Sequence, residues 1–198
     1  QKRIAYNVGE IAGNGIDDDK NGYVDDHAGM SFVSTQSTPG NVSAHGTHVS
    51  GIIAADPNYG PISGVAPKAE IVPAPFISNS GSGTLGDAVA ALNYVASRGV
   101  RVINASWGGR QCLASLKNAF ESLSRKGIIV VVAAGNDGAD LEQSPEYPAV
   151  FNLPTQLTVA ASTSDDFMAG WSNSSFNLVH LAAPGDSIYS TTPFNSYE

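Results

Sequence analysis

The middle of the chain alternates short, strongly apolar stretches with longer segments whose apolar residues recur at helical spacing. Candidate strands and helices follow one another in the order Ala69–Ile77, Leu85–Ala96, Val100–Ser106, Leu113–Leu123 and Ile128–Ala134. Strands that are apolar on both faces and alternate with amphipathic helices are typical of a parallel sheet covered by helices. The pattern therefore predicts an α/β fold, with a doubly wound, mostly parallel sheet, helices on both faces and right-handed crossovers.

The regions on either side of this alternation are less regular. Residues 1–44 are polar and rich in glycine and aspartate, so we expect an acidic loop region with at most a short strand at Gly29–Val33. A short helix at His45–Ala55 then opens an α/β core over residues 45–198, and the whole chain is expected to form part of one domain. Further short strands are expected at Leu157–Ala161, Leu178–Ala182 and Ser187–Ser190.

Charge and composition exclude several classes of protein. The net charge is −8 and the basic residues are scattered, so no positive stripe is available to bind nucleic acid. No apolar run is long enough to span a bilayer, and the single Cys112 cannot form an internal disulfide. No signal peptide is visible in residues 1–30, so an exported protein would carry its targeting segment upstream of Gln1.

Acidic side chains are concentrated in residues 17–26. Their oxygens occur at the spacing of a calcium-binding loop, and Gly22 supplies the sharp turn. The candidate ligands are Asp17, Asp19, Asn21, the carbonyl of Tyr23, and Asp25 or Asp26. Ala28 stands where an EF-hand has its bidentate glutamate, so the loop is not a standard EF-hand. A structural Ca²⁺ ion is expected here, and a solvated acidic turn is the alternative.

Candidate catalytic residues follow the strands and open the first helix. Residues 103–109 and 131–136 both follow strands and run into glycine, so they should be neighbours at the carboxyl edge of the sheet, where ligands bind. His45 and His48 are three residues apart in the first turns of the helix. Taken by themselves they could be a metal pair, a catalytic base with a supporting neighbour, or ordinary polar residues of a helix start.

Five segments together resemble the subtilisin-like serine proteases. His45-Gly46-Thr47-His48-Val49-Ser50-Gly51 is similar to the histidine motif of that family, and Ala133-Ala134-Gly135-Asn136 to its oxyanion-hole segment. The other three matching segments are Gly64-Val65-Ala66-Pro67, Asn104-Ala105-Ser106-Trp107-Gly108 and Ala183-Pro184-Gly185. Five matches in the family's order, on an α/β pattern, indicate an internal part of a subtilisin-like catalytic domain.

The resemblance implies specific roles. His45 would be the general base and Asn136 an oxyanion donor. Two extended segments, Gly81-Ser82-Gly83 and Ser106-Trp107-Gly108, would bind a peptide as an added strand. Ala133, Ala134 and Gly135 would form the other wall of a primary pocket that we expect to be open, apolar and weakly selective. Trp107 could instead be a core aromatic, and Gly81–Gly83 a flexible linker.

The resemblance also implies residues that this chain lacks. The family's Asp-Thr/Ser-Gly turn does not occur near Gln1, and its Gly-Thr-Ser-Met-Ala motif does not occur in the sequence up to Glu198. We therefore expect the triad aspartate upstream and the serine downstream, with the 198-residue chain inactive alone. The parent protein would be a secreted, monomeric endopeptidase that acts on polypeptides and has a propeptide.

Two other functions remain open at this point. One is a non-catalytic module that binds peptide or calcium and has lost its triad. The other is a zinc hydrolase that uses His45 and His48, although no third ligand with the expected spacing occurs. Pro73 and Pro75 depart from the family pattern, because proline donates no hydrogen bond to a strand neighbour.

Overall fold

The computed structural model of the protein describes residues 3–33, 43–78, 80–194 and 196–198. The chain divides into two units, the first made of Gln1–Arg98 and Tyr189–Glu198 and the second of Gly99–Ile188. In chain order the elements are α1 (Ala44–Ala54), α2 (Leu85–Ser97), β1 (Val102–Ala105), α3 (Ala114–Arg125), β2 (Ile129–Ala133), a 3-10 turn (Ala149–Phe151), β3 (Gln156–Ser162), β4 (Leu181–Pro184), β5 (Thr191–Thr192) and β6 (Ser196–Tyr197).

A parallel sheet forms the centre of the second unit. Its strands lie in the order β1-β2-β3-β4, with Ala105 opposite Val132 and Ala133 opposite Val159. The connection between β1 and β2 contains α3, which packs on β2. The predicted α/β class, a parallel sheet combined with helices, is confirmed, and each predicted helix starts within one residue of its observed position.

The two faces of this sheet differ in their burial. Alternate residues of the first two strands are buried, namely Ile103, Ala105, Val130 and Val132. On the opposite face, apolar side chains are exposed by 58% at Val102, 41% at Ile129, 37% at Leu157 and 45% at Leu181. The sequence predicted that the strands are apolar on both faces, and the structure shows that only one of those faces is well buried.

The predicted strand Ala69–Ile77 is not a regular strand. The carbonyls of Pro73 and Pro75 accept hydrogen bonds from the amides of Met30 and Phe32 at 3.1 and 2.7 Å. The two prolines have no N–H to donate in return, so the ladder forms from one side only. For the same reason Gly29–Val33 is an extended segment rather than the strand that was expected.

The last predicted strand is displaced along the chain. Ser187, within the predicted range Ser187–Ser190, has a left-handed backbone with φ of 56°, which interrupts an extended segment. Pairing starts later, where Thr191 and Thr192 of β5 lie antiparallel to Ser196 and Tyr197 of β6. This short hairpin belongs to the first unit.

Candidate active site and cation site

His45 lies in the first turn of α1, and its side chain is exposed to solvent. The hydroxyl of Ser43 caps the helix by accepting a hydrogen bond from the amide of Gly46 at 3.1 Å. Asp56, the acidic residue nearest to His45 in sequence, accepts hydrogen bonds from Arg3 at 2.7 Å and from Asn58 at 2.8 Å. The imidazole is thus presented to solvent at a capped helix start, and Asp56 is engaged with other partners.

The hairpin strand β5 supports α1 from the side. The hydroxyl of Ser190 donates to the carbonyl of His48 at 2.7 Å, and the hydroxyl of Thr191 donates to the carbonyl of Thr47 at 2.9 Å. Gly51 makes this approach possible, because a Cβ atom there would overlap both hydroxyls. The position of the histidine-bearing helix therefore depends on contacts with residues about 140 positions later in the chain.

The structure does not place a zinc site at the two histidines. Within the described ranges, the one group of three ligating side chains close enough to share a metal consists of carboxylates, and neither His45 nor His48 belongs to it. His48 is partly buried and makes other interactions. The zinc hypothesis therefore has no support from the described residues.

Two predicted pocket walls lie side by side in the second unit. Ser106, Trp107 and Gly108 follow β1, and Ala133, Ala134 and Gly135 end or follow the adjacent strand β2. The expected neighbourhood of these two strand ends is confirmed. Ala133 and Gly108 are exposed, whereas Ala134 is buried in the sheet.

Trp107 makes a core contact. Its indole packs edge-on against the ring of Phe120, with ring centroids 6.2 Å apart, and Phe120 is almost fully buried in α3. Ser106 accepts a hydrogen bond from the side chain of Asn104 at 2.9 Å. The backbone around Gly108 is thus the part of the first wall that is open to solvent.

Asn136 is exposed at the end of the second wall, and a buried asparagine organises its loop. The side-chain oxygen of Asn173 accepts hydrogen bonds from the amides of Asp137 and Ala139 at 2.9 and 3.0 Å. The side-chain nitrogen donates to the carbonyl of Ala134 at 3.1 Å, and the Asn173 amide donates to the carbonyl of Gly135 at 2.9 Å. Sequence reasoning missed Asn173, because a single asparagine in a polar stretch has no distinctive pattern.

A second residue that the sequence did not single out is Glu146. Its carboxylate lies beside both pocket walls, where a Cβ atom on Gly108 would come within 2.6 Å of Oε1 and one on Gly135 would overlap Oε2. Asn173 donates a hydrogen bond to Oε2 at 2.9 Å. Burial raises the pKa of Glu146 above its usual value, and the negative charge of Asp137 raises it further.

The other predicted peptide-binding segment, Gly81-Ser82-Gly83, lies in the first unit. It forms a tight turn in which the amide of Ser78 donates to the carbonyl of Ser82 at 2.8 Å. Gly81 has a φ of 81°, and a Cβ on Gly83 would lie 2.6 Å from the carbonyl oxygen of Phe76. Glycine is therefore required here by local backbone geometry.

The predicted calcium ligands separate into two groups. Asp17 accepts hydrogen bonds from the amides of Asn21 and Gly22, and Asp25 accepts from the amides of Asn14 and Gly15. These two carboxylates stabilise turns of the loop. The amide of Tyr23 donates to the side chain of Asn21 at 2.8 Å, which tightens the same loop.

Asp19 and Asp26 instead converge with Glu10. One carboxylate oxygen from each of the three residues lies within 4.8 Å of the other two. Glu10 and Asp26 are buried, and Oε2 of Glu10 has no hydrogen-bond partner. A hydrogen bond from Asn7 lowers the pKa of Asp19. Glu10 was missed because it lies seven residues before the acidic run.

This carboxylate group is anchored to α2. Arg98 forms an ion pair with Asp26 at 3.2 Å and donates to the carbonyl of Ala5 at 3.1 Å. The ring of Tyr94 packs edge-on against that of Tyr23, with ring centroids 4.8 Å apart. Burial, together with the neighbouring Asp26, raises the pKa of Tyr94 far above its usual value. The acidic loop is therefore packed against a helix and is not simply a solvated turn.

Solved structures define the class of this fold. A cold-adapted subtilisin-like serine proteinase superposes with a TM-score of 0.74 at 33% identity, covering 86% of this chain and 59% of that protein. The prenylagaramide maturation protease PagA superposes with a TM-score of 0.71 at 27% identity, covering 80% of this chain and 58% of that one. The fold is that of the subtilisin-like proteases.

Sequence comparison leads to the same class. The profile of the Subtilase family matches residues 4–198, and the chain belongs to that family. It is 39% identical to thermitase of Thermoactinomyces vulgaris over 85% of this chain and 59% of that protein. It is 38% identical to subtilisin DY of Bacillus licheniformis over 85% of this chain and 61% of that protein. The chain thus spans about three fifths of these relatives.

Among the residues that the structure describes, no helix is both long enough and apolar enough to cross a membrane.

Proposed function

We propose that the protein containing this chain is a serine endopeptidase in which His45 is the general base and Asn136 an oxyanion donor. The observation that carries the proposal is the position of His45, exposed at a capped helix start within the family's histidine motif. Asn136 supports it, since its side chain is exposed beside two adjacent strand ends that match the family's pocket walls. A peptide would bind to these segments as an added strand.

The proposal assigns the triad serine and aspartate to parts of the protein outside residues 1–198. A histidine base needs a nucleophile whose proton it takes and an acid that orients its ring, and this chain has neither of the family's motifs for them. The 198-residue chain by itself would be inactive. The proposal also includes export from the cell, synthesis with a propeptide and a monomeric mature enzyme.

A serine-directed fluorophosphonate tests the catalytic assignment on the full-length protein. We expect covalent labelling of the intact protein and its loss in His45→Ala, because the serine is then no longer deprotonated. Asn136→Ala should retain labelling in part while lowering kcat more than it raises KM. Labelling that is absent from the intact protein would favour the non-catalytic module, and activity that depends on a chelatable metal without labelling would favour a zinc enzyme.

We further propose that Glu10, Asp19 and Asp26 hold a structural Ca²⁺ ion. The side-chain nitrogens of Asn7 and Asn21 donate hydrogen bonds to the carboxylates of Asp19 and Asp26. Calcium prefers six to eight oxygen ligands. The unpartnered, buried Oε2 of Glu10 fits such an ion, since a buried carboxylate oxygen without a donor is costly unless a cation neutralises it. This assignment differs from the set expected from spacing, because it adds Glu10, takes Asp26 of the Asp25 and Asp26 alternatives, and leaves out Asp17, Asn21 and the carbonyl of Tyr23.

Calcium titration followed by thermal unfolding tests this assignment. Ca²⁺ at about 100 times its dissociation constant should stabilise the protein by about 2.7 kcal/mol. Glu10→Gln should weaken Ca²⁺ binding by roughly tenfold or more. Without Ca²⁺ the same variant should be at least as stable as the wild type, because it removes an uncompensated buried charge. Glu70→Gln, at an exposed site, is the matched control, and equal Ca²⁺ affinity in both variants would overturn the assignment.

A further inference from the structure

Glu146 places a carboxylate beside Ser106–Gly108 and Ala133–Gly135, the two segments expected to form the walls of the primary pocket. Both of its oxygens are involved: Oε1 faces Gly108, and Oε2 faces Gly135. The carboxylate occupies the space that a Cβ on either glycine would need, together with the side-chain nitrogen of Asn173 at Gly135. A substrate side chain that enters between the walls would therefore meet this carboxylate. Glu146 itself is partly buried.

The backbone on either side fixes this position. Gly109 and Tyr147 exchange two hydrogen bonds, with the Gly109 amide donating at 2.9 Å and the Tyr147 amide donating at 2.8 Å. The residue before Tyr147 is therefore held directly against the first wall. The side-chain nitrogen of Asn173 donates both to the carbonyl of Ala134 in the second wall and to Oε2, and so ties the carboxylate to that wall.

Glu146 forms no ion pair with the residues that the structure describes, although the charge of Arg110 partly lowers its pKa. Arg110, the nearby cation, pairs with Asp137 instead. The raised pKa of Glu146 is the consequence of this burial and of the like charge on Asp137. A partly buried carboxylate in this state gains most from a ligand that supplies a cation with hydrogen-bond donors, as the side chains of lysine and arginine do.

We propose that Glu146 makes the primary pocket selective for peptides with lysine or arginine at the residue before the scissile bond. The proposal rests on the proposed serine endopeptidase function. It replaces the expectation of an apolar, weakly selective pocket, because the sequence pattern located the two walls but did not locate the residue between them. Glu146 is here a specificity-determining residue, and it takes no part in bond cleavage.

Matched peptide substrates test the proposal on the full-length protein. The substrates differ only at the residue before the scissile bond and carry arginine, its neutral isostere citrulline, lysine or methionine. We expect kcat/KM for arginine to exceed that for citrulline roughly tenfold or more, as desolvated charge pairs at interfaces do. Glu146→Gln should abolish this preference, so that the arginine and citrulline substrates are cleaved with similar kcat/KM.

Glu142→Gln is the matched control, because Glu142 is an exposed glutamate four residues earlier that accepts hydrogen bonds from Ser175 and Asn177. It should keep the wild-type preference. Cleavage without a preference for arginine over citrulline, or a preference for small residues because Glu146 fills the pocket, would overturn the inference and leave the proposed function intact. A protein that cleaves none of the substrates and is not labelled by the phosphonate would overturn both.

Discussion

At the scale of single residues, the loop that carries Asn136 depends on Asn173. This side chain is 1% exposed and makes hydrogen bonds to two amides, one carbonyl and the Glu146 carboxylate. All four bonding positions of the amide group are therefore used. A buried side chain of this kind fixes a loop more firmly than the same number of exposed hydrogen bonds, because its partners have no water to replace it.

Asn173→Ala should therefore destabilise the protein. It removes the four hydrogen bonds of the Asn173 side chain, and a typical intramolecular hydrogen bond contributes about 0.5–1.5 kcal/mol. We expect a loss of this order or larger in the free energy of urea unfolding, together with lower kcat in the full-length protein. Ser174→Ala is the neighbouring control, since the hydrogen bonds of Ser174 are made by its backbone. Equal stability of the two variants would contradict this role.

The raised pKa of Glu146 predicts how the stability of the protein depends on pH. Its pKa is raised in the folded state, so the folded protein holds the proton more tightly than the unfolded chain does. Its contribution to stability is favourable at low pH and is lost as the pH rises from the usual glutamate pKa through the raised value. Glu146→Gln has no group that titrates at this position, so it does not lose this contribution. The unfolding free energy of the variant minus that of the wild type should therefore increase as the pH rises through that window. A difference that is constant with pH would contradict the shift.

At the scale of elements, α1 and β5 act as a pair. Residues 47 and 48 of the helix accept hydrogen bonds from residues 191 and 190, and Gly51 lets the two segments touch. The helix that bears His45 thus has its orientation set by a hairpin near the end of the chain. We therefore expect a substitution at this contact to lower kcat by shifting His45, although the substituted residue does not contact the substrate.

Two glycine substitutions compare this contact with an open helix position. Alanine usually favours a helix over glycine by about 1 kcal/mol. Gly86→Ala in α2, where an added Cβ has only a 3.6 Å contact with Thr84, should be neutral or gain up to that amount. Gly51→Ala should instead destabilise by about 1–3 kcal/mol, because the new Cβ overlaps the Ser190 and Thr191 hydroxyls. Thermal unfolding of both variants measures the contrast, and a stabilised Gly51→Ala would show that α1 and β5 are not in close contact.

At the scale of the whole molecule, the sheet of the second unit carries exposed apolar residues on one face. Val102, Ile129, Leu157 and Leu181 lie at or next to the start of their strands and are each more than one third exposed. Apolar surface of this kind promotes association when it is not covered. We therefore expect the 198-residue chain expressed alone to self-associate, as measured by size-exclusion chromatography with light scattering.

Val102→Ser combined with Leu157→Thr should reduce this association, because both substitutions remove apolar surface without introducing bulk. Val130→Thr, at a buried position on the opposite face, is the control and should lower stability instead of improving solubility. A wild-type 198-residue chain that is monomeric and unfolds cooperatively would contradict the prediction.

Local patterns in the sequence determined the α/β class, the three helices, the position of His45 at a helix start and the position of Ser106–Gly108 and Ala133–Gly135 at the ends of adjacent strands. Apolar periodicity, glycines after strands and helix caps each involve only a few neighbouring residues. They can therefore be recognised in the sequence without knowledge of the fold. The strand expected at Ala69–Ile77 failed at Pro73 and Pro75, where the missing N–H groups outweigh the apolar character of the segment.

Only the tertiary structure decided which distant side chains meet at the sites. Glu10 joins Asp19 and Asp26, Asn173 binds the Asn136 loop, and Glu146 lies between the two glycine-containing walls. Each of these residues lies outside the local pattern that marked its site, and its role comes from burial and from partners brought close by packing. The sequence led us to expect an apolar pocket, and the carboxylate that we propose selects the substrates was located only by the tertiary structure.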